Sequence, residues 1–301
     1  MKRVVNGQFV LIAEAGVNYY DIAKKKNIST IEAAKLMVKE AAKAGIHGIK
    51  FQTYKADTLA SKKSPSYWNL KEEPTNSQYK LFKKFDSFNE QEYIELAEYA
   101  EQNNIEFLST PFDISSADYL DSLMNIYKIS SSDLNNLPFV EYIAKKNKPI
   151  ILSTGASNED EIERTVKQIR SLNNKPLVLM HCVLEYPTPY EHANLNKIVS
   201  LKNMFKDCFI GYSDHTKPDI DYDVIKTAYI LGAQVIEKHF TLDKTLKGND
   251  HYHSMDTSDA RNIIRSIDYI NELCGSGELK CLDDEKTARE NARRSLVTLK
   301  L

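Results

Sequence analysis

Glycine and proline are sparse in this chain, ten and nine among 301 residues. No G-x-G-x-x-G run and no Walker-type loop is present, so the usual backbone cradles for nucleotide phosphates are excluded. Long apolar runs are missing too. Nothing approaches the roughly eighteen residues of a membrane span, and no basic, apolar export leader is visible. Neither sign of charge dominates: 40 lysines and arginines against 42 aspartates and glutamates leave a formal net charge of −2. That removes any electrostatic case for a nucleic-acid or membrane partner. The four cysteines (Cys182, Cys208, Cys274, Cys281) lack CxxC spacing, and the first two sit in apolar strand-like runs. They read as reduced core residues of a cytoplasmic protein.

What the chain does contain is a repeated alternation of short apolar runs and amphipathic segments. Asn6-Gly7 within residues 4–9 predicts a small amino-terminal hairpin, because glycine supplies the positive φ of a tight turn. Residues 9–17 form a continuous apolar run, the mark of a strand buried on both faces. A polar loop follows. Ser29-Thr30-Ile31-Glu32 then has the form of a capping box, and Ile31, Ala34, Met37, Val38 and Ala41 recur at helical spacing up to Gly45. Further strands are predicted at 48–54, 105–111, 126–130, 149–155, 176–182, 208–213 and 233–240. Helices are predicted at 90–102, after a cap at Ser157, and at 258–273.

Eight strands alternating with helices specify a (β/α)8 TIM barrel over residues 1–278, with a doubly wound open sheet as the structural alternative. Residues 279–301 form a polar tail ending in Ser295–Leu301, which reads as a strand without a partner in this sequence. The stretch 55–89 breaks the rhythm. It holds the single tryptophan, Trp68, and the aromatic group Tyr79, Phe82, Phe85 and Phe88. A loop of that length reads as a lid or binding loop, or equally as an excursion shielding the barrel mouth.

In such a barrel a polar residue at the carboxyl end of a strand faces the mouth, where chemistry occurs. Nearly every predicted strand ends in one. The first offers Glu14 and Asn18, the second Lys50 and Gln52, the third Ser109 and Thr110, and the fourth Lys128 with Ser130, Ser131, Ser132 and Asp133. Ser153 and Thr154 end the fifth, and His181 and Tyr186 stand at or past the sixth. Ser213 with His215, and Glu237 with His239, close the last two. His215 and His239 would emerge side by side as half of a divalent-metal site; the alternative is one core histidine and one surface histidine. A lysine inside an apolar strand is rare unless it meets an anion or forms a Schiff base. Lys50 and Lys128 therefore suggest a doubly anionic ligand, such as phosphate plus carboxylate. The plainer reading of each lysine is an ion pair with Glu14, Asp133 or Glu237, and that of the serines is backbone capping.

A series of these pieces resembles the sialic acid synthase family, which includes N-acetylneuraminate, legionaminate and pseudaminate synthases. The pieces are residues 12–18 (IAEAGVN), Lys50-Phe51-Gln52, 108–112 (LSTPF), Tyr127-Lys128-Ile129, 151–155 (ILSTG), His181-Cys182, 186–189 (YPTP), 211–216 (GYSDHT) and 237–244 (EKHFTLDK). They run in the family's order from about residue 9 to 300, and Ser-Asp-His-Thr and Glu-Lys-His-Phe-Thr are specific.

The resemblance implies a transferase that condenses phosphoenolpyruvate with water and the open-chain aldehyde of an N-acyl amino sugar. That sugar would be N-acetylmannosamine or a 6-deoxy-diacetamido hexose, and the products a nine-carbon 2-keto acid and phosphate. It also implies that His215 and His239 hold Mn2+, or another divalent cation such as Mg2+ or Co2+. Lys50, Thr110, Lys128, Ser131, Ser153 and Ser213 would grip phosphoenolpyruvate, with Glu14 as the acid/base group nearest the reacting carbons. Gln52, Asp133, Tyr186 and Asp250 would bind sugar hydroxyls, the last because residues 248–251 (GNDH) look like the family's sugar-binding turn.

Two departures stand out. Leu184 occupies a position where family members often carry a polar residue that helps hold phosphoenolpyruvate. Residues 293–297 resemble the opening of the family's antifreeze-like domain, so 279–301 reads as a linker and the first strand of a domain this sequence does not contain. In the family that domain reaches across a homodimer. Two other functions remain in view: a catalytically silent barrel used for binding or assembly, and a barrel condensing phosphoenolpyruvate with a sugar phosphate. The joint presence of Glu14, Lys50, His215 and His239 argues against the first. The second would need further cations, and no arginine stands at any strand end.

Overall fold

In the computed structural model, which describes residues 1–294 apart from Tyr67, Asn69, Glu72, Ser87 and Asn249, the alternation becomes eight parallel strands in a nearly closed barrel. The strands are β1 Val10–Gly16, β2 Gly48–Thr53, β3 Glu106–Pro111, β4 Tyr127–Ile129, β5 Ile150–Ser153, β6 Leu177–Cys182, β7 Phe209–Asp214 and β8 Val235–His239. Their hydrogen-bonded order, β3-β2-β1-β8-β7-β6-β5-β4, is that of a (β/α)8 barrel.

Helices α1 Lys2–Val5, α2 Tyr19–Lys26, α3 Thr30–Lys43, α4 Ala56–Leu59, α5 Gln78–Phe85, α6 Glu90–Gln102 and α7 Ile114–Leu120 belong to the first half. They are followed by α8 Leu137–Lys145, α9 Glu159–Leu172, α10 Asn196–Met204, α11 Asp223–Ile230, α12 Thr257–Cys274 and α13 Lys286–Ala292. Each strand is buried on both faces, which is why its residues are apolar in succession rather than alternately. No helix among the described residues is long and apolar enough to cross a membrane.

The capping box at Ser29 and Glu32 opens α3 as expected, and Ala34, Met37, Val38 and Ala41 are its buried stripe. Elsewhere the expectations need correction. The amino-terminal hairpin is a helix. Asn6 caps α1, and Gly7, at φ +73°, donates its N–H to the Val4 carbonyl at 3.0 Å. The Asn-Gly signal marked a turn correctly, but a glycine in the left-handed region ends a helix as readily as it joins two strands. The cap of α9 is Asn158, not Ser157. Asn158 and Glu161 form the capping box, while the Ser157 hydroxyl donates to the Gly155 carbonyl. The polar loop after β1 contains α2, and the segment 55–89 contains α4 and α5.

Residues Met1–Ile267 make one unit and Asp268–Leu301 a second, which contains α13, a helix with no buried residue. The strand expected at 295–301 lies outside the described residues.

Candidate active site

Successive side chains of a strand point to opposite faces, so residues two apart share the barrel interior. Near the amino-terminal ends of the strands that interior is apolar: Ile12, Leu108, Ile126, Ile151, Val178, Met180 and Val235 pack together, joined by Val4 of α1. Two residues further along, the same parity places Glu14, Lys50, Thr110, Lys128, Ser153, Cys182, Ser213 and Glu237 around a cavity at the carboxyl-terminal mouth. Gln52, Ser130, Ser131, Tyr186, His215, His239 and Asp250 complete its polar lining. The cavity encloses about 930 Å³, part of it open to solvent.

Four buried charges alternate in the floor of this cavity. Lys50 Nζ pairs with Glu14 Oε2 and stands 3.8 Å from Glu237 Oε2, while Lys128 Nζ is 3.7 Å from Glu237 Oε1. Lys50 also donates to Thr110 Oγ1 at 3.1 Å, Lys128 to Ser153 Oγ at 2.7 Å and Gln52 to Glu14 Oε1 at 2.8 Å. Ser213 donates to Glu237 Oε1 at 3.1 Å. An ion buried alone would cost several kcal/mol, so each of these needs the others.

Their proton affinities diverge. Burial pushes Glu14 up, and Lys50 only partly offsets it. Burial would lower Lys50, but the carboxylates of Glu14 and Glu237 outweigh it and the net shift is upward. Burial would raise Glu237, but Lys128 and Lys50 pull it down. Burial lowers Lys128, with Glu237 only partly opposing. The surroundings thus favour the charged forms of Lys50 and Glu237 and the neutral forms of Glu14 and Lys128. The ion-pair reading of the lysines and their place at the mouth are both correct.

Above the quartet stand the imidazoles. His215 Nδ1 lies 2.6 Å from the Val183 carbonyl and so carries the proton, which leaves the Nε2 lone pair toward the cavity side, 3.4 Å from Ser213 Oγ. Burial pushes His215 down to about 4 and His239 well below the ordinary histidine value. Both are therefore neutral, the form that binds metals. Their ring centroids are 5.7 Å apart, and the Tyr186 ring sits 4.2 Å from that of His215. His239 Nδ1 is buried and has no hydrogen-bond partner among the described residues. Asp250 Oδ2 is 3.8 Å from it, and burial raises the Asp250 carboxyl to about 7. An orphaned buried nitrogen, a tautomer fixed by a backbone carbonyl and an adjacent carboxyl make a donor set that suits a divalent ion.

The opposite wall is apolar. Tyr54 and Phe112, near the ends of β2 and β3, face the cavity together with Trp68, Leu81, Phe82 and Phe85 of the segment 55–89. The Trp68 indole N–H donates to the carbonyls of Glu73 and Thr75 within this segment, and Trp68, Leu81 and Phe85 pack against Val17 and Tyr20, which holds the segment over the mouth. Leu184 also lines the cavity. Glycine at 155 admits the crowding there: a Cβ would lie 2.8 Å from Cys182 Sγ and 2.9 Å from Ser131 Oγ.

Of the residues given a role in binding or chemistry, Asp133 alone is missing from the lining, but Asn18, Ser109, Ser132, Thr154 and His181, also expected at the mouth, do not line it either. Ser109, Thr154 and His181 follow the opposite strand parity and bond Thr53, the Met180 carbonyl and the Ala193 carbonyl, and Asn18 bonds the Phe240 carbonyl. The 3-10 turn Ser131–Asp133 directs Ser131 to the cavity, and Asp133 accepts from Asn136 instead. Cys182, read as a core residue, is buried but lines the cavity, 3.1 Å from Ser131 Oγ. Trp68, Phe82 and Phe85, expected in a segment at the barrel mouth, do line the cavity, whereas Tyr54, Leu81, Phe112 and His253 carry no such expectation. His253 packs against His239 with ring centroids 4.8 Å apart. Its only signal in the sequence is a second histidine two residues after His251, in a loop with no strand to give it a direction.

A (β/α)8 barrel that gathers paired charges, neutral imidazoles and a long covering segment at its strand ends has the make-up of an enzyme acting on a small molecule. Residues 37–279 match the NeuB family, and the chain belongs to that family. It is 37% identical over 296 residues to the N,N'-diacetyllegionaminic acid synthase of Campylobacter jejuni, covering 97% of this chain and 85% of that protein. It is 41% identical over 289 residues, 95% of this chain and 78% of the other, to an uncharacterized protein of Methanocaldococcus jannaschii. Among solved structures it superimposes on an N-acetylneuraminic acid synthetase from Leptospira borgpetersenii in complex with citrate. The TM-score is 0.81 at 31% identity, covering 95% of this chain and 91% of that one.

Proposed function

We propose that this chain condenses phosphoenolpyruvate with the open-chain aldehyde of an N-acyl amino sugar and water, releasing phosphate and a nine-carbon 2-keto acid. The observation that carries the reading is the alternating quartet Glu14, Lys50, Glu237 and Lys128 beneath the His215–His239 pair, within one cavity. We place the catalytic unit in residues 1–278.

In this scheme Lys50 and Lys128, with Thr110, Ser131, Ser153 and Ser213, bind the phosphate and carboxylate of phosphoenolpyruvate. Fixed cations in a cavity with little water act more strongly on those anions than they would in bulk solvent. His215 and His239 would hold the divalent ion, which when bound supplies Lewis acidity at the aldehyde oxygen. Gln52, Tyr186 and Asp250 orient the sugar, and the wall of Trp68, Phe82 and Phe112 excludes water from its far side. The phosphoenolpyruvate C3 bonds to the aldehyde carbon, water adds at C2, and the C2–O bond to phosphate breaks as the ketone forms. One water proton ends on the former aldehyde oxygen and the other on phosphate. Glu14, protonated more readily than an ordinary carboxyl, carries a proton between these oxygens.

A sugar phosphate as second substrate is disfavoured, because Lys50 and Lys128 are the only lysines or arginines among the described lining residues and both face carboxylates. The test is to incubate the protein with phosphoenolpyruvate, Mn2+ and a panel of N-acyl amino sugars, and to follow phosphate. Release that requires both an amino sugar and the metal, and that a chelator reversibly stops, supports the scheme. Phosphate release with no sugar in the panel, or none at all, overturns it.

A further inference from the structure

We propose that His253 is an additional imidazole ligand of the divalent-ion site, and that it tilts the site away from Mg2+ toward nitrogen-favouring ions such as Co2+ and Zn2+. This rests on the reading above that an ion is held beside His239.

His253 is fully buried, yet neither ring nitrogen has a hydrogen-bond partner among the described residues. Leaving a buried polar group unsatisfied costs about 1–3 kcal/mol, and native interiors pair nearly all of them. Burial alone does not explain the vacancy. His251, two residues earlier and equally buried, shares a hydrogen bond of 2.8 Å with Thr241 Oγ1 and faces Asp21 Oδ2 at 3.4 Å. It is a satisfied core histidine; His253 is not.

The orphaned nitrogens converge with other donors. One ligand atom each from His239, Asp250 and His253 lie within 4.8 Å of one another. The Asp250 carboxylate stands between the two rings, 3.8 Å from His239 Nδ1 and 3.9 Å from His253 Nε2. Both distances are too long for hydrogen bonds. Donors that share one ion at about 2.1 Å sit at most about 4.2 Å apart, so a closure of under about 1 Å brings these three onto one centre.

The loop that carries His253 is stitched in place. Met255 donates its N–H to the His239 carbonyl at 2.8 Å, Ser254 N–H bonds the His251 carbonyl at 3.2 Å, and the Tyr252 hydroxyl bonds the Tyr186 carbonyl at 3.1 Å. A site of two imidazoles completed by water and substrate oxygens is oxygen-rich. His253 replaces one of those oxygens with a further imidazole, and imidazole favours Co2+ and Zn2+ where oxygen suits Mg2+.

The test uses metal-stripped protein titrated with Co2+ and with Mg2+ by calorimetry, together with the visible absorption of bound Co2+. His253→Phe and the smaller, polar His253→Asn are compared with the parent after thermal melts confirm that each is folded. Losing even an outer-shell partner costs metal affinity about 10- to 100-fold, so both variants should lose at least about tenfold in Co2+ affinity with an altered spectrum. Mg2+ affinity should change far less. Parent-like Co2+ affinity and spectrum in both variants, with binding lost in His239→Ala, would overturn the role of His253 while leaving the metal site itself intact. No divalent-ion binding by the parent would overturn both.

Discussion

The lower and upper halves of the barrel interior are built by the same strands with the same inward parity, and they differ in what each position must satisfy. Ile12, Leu108, Ile126, Ile151, Met180 and Val235 fill the lower half with carbon. Two residues on, Glu14, Thr110, Lys128, Ser153, Cys182 and Glu237 fill the upper half with charge, hydroxyl and thiol. The lower layer gains from removing apolar surface from water. The upper layer gains nothing of that kind and holds together because each charge neutralises another. Lys238 sharpens the contrast. It lies one residue from Glu237, is buried, and donates to Asp214 at 2.6 Å and to the Thr216 carbonyl at 2.7 Å. Its ammonium is held by one carboxylate and a carbonyl on the other face of the strand and lines no part of the cavity. Lys50 and Lys128 share carboxylates across a cavity that a ligand can enter. A buried lysine is therefore informative by what remains open around it rather than by its burial.

This contrast can be broken in several ways. The largest effect should come from Lys50→Met. The proposed substrate loses its firmest cation, and phosphate release should fall by about 100- to 1000-fold with the far-UV spectrum unchanged. Parent-like turnover would remove Lys50 from the mechanism.

Ile151→Ala, in the layer below, should do the reverse: a loss of about 2–5 kcal/mol of stability in denaturant unfolding, with kcat near that of the parent. A collapse of kcat without loss of stability would mean that the two layers are not separable.

A smaller effect concerns pH. Burial lowers the Lys128 ammonium, so it sheds its proton at a lower pH than an ordinary lysine. Affinity for phosphoenolpyruvate should decline on the alkaline side as that charge disappears. Lys128→Arg keeps its charge to a pH above about 12, so its profile should lack that decline. An identical alkaline limb in both proteins would assign the limb to another group.

Smallest of all, Asn158→Ala should cost about 1 kcal/mol and Ser157→Ala markedly less, because only Asn158 caps α9. Equal costs would contradict the cap assignment.

Much of this was legible in the sequence because it is local. Strand positions, the capping box at Ser29 and the polar residue at each strand end follow from patterns a few residues long. The misreadings have local causes as well. Asn6-Gly7 announces a left-handed glycine without saying whether a strand or a helix precedes it. Ser157 and Asn158 can both cap, and Glu161, three residues after Asn158, was the deciding signal. Asp133 belongs to a run of polar residues at 130–133, and a single 3-10 turn selects which of them face the cavity. His253 sits in a loop, where no periodicity gives a side chain its direction.

The sequence alone determined that eight buried strands carry their polar residues at one end, since a period of two and runs of apolar residues are properties of the backbone. Only the tertiary structure decided which charges meet. The register sets Glu14 beside both Lys50 and His239, and Ser213 beside Glu237. That stagger comes from closing a sheet into a barrel, a geometric condition on all eight strands together that no single stretch of sequence contains.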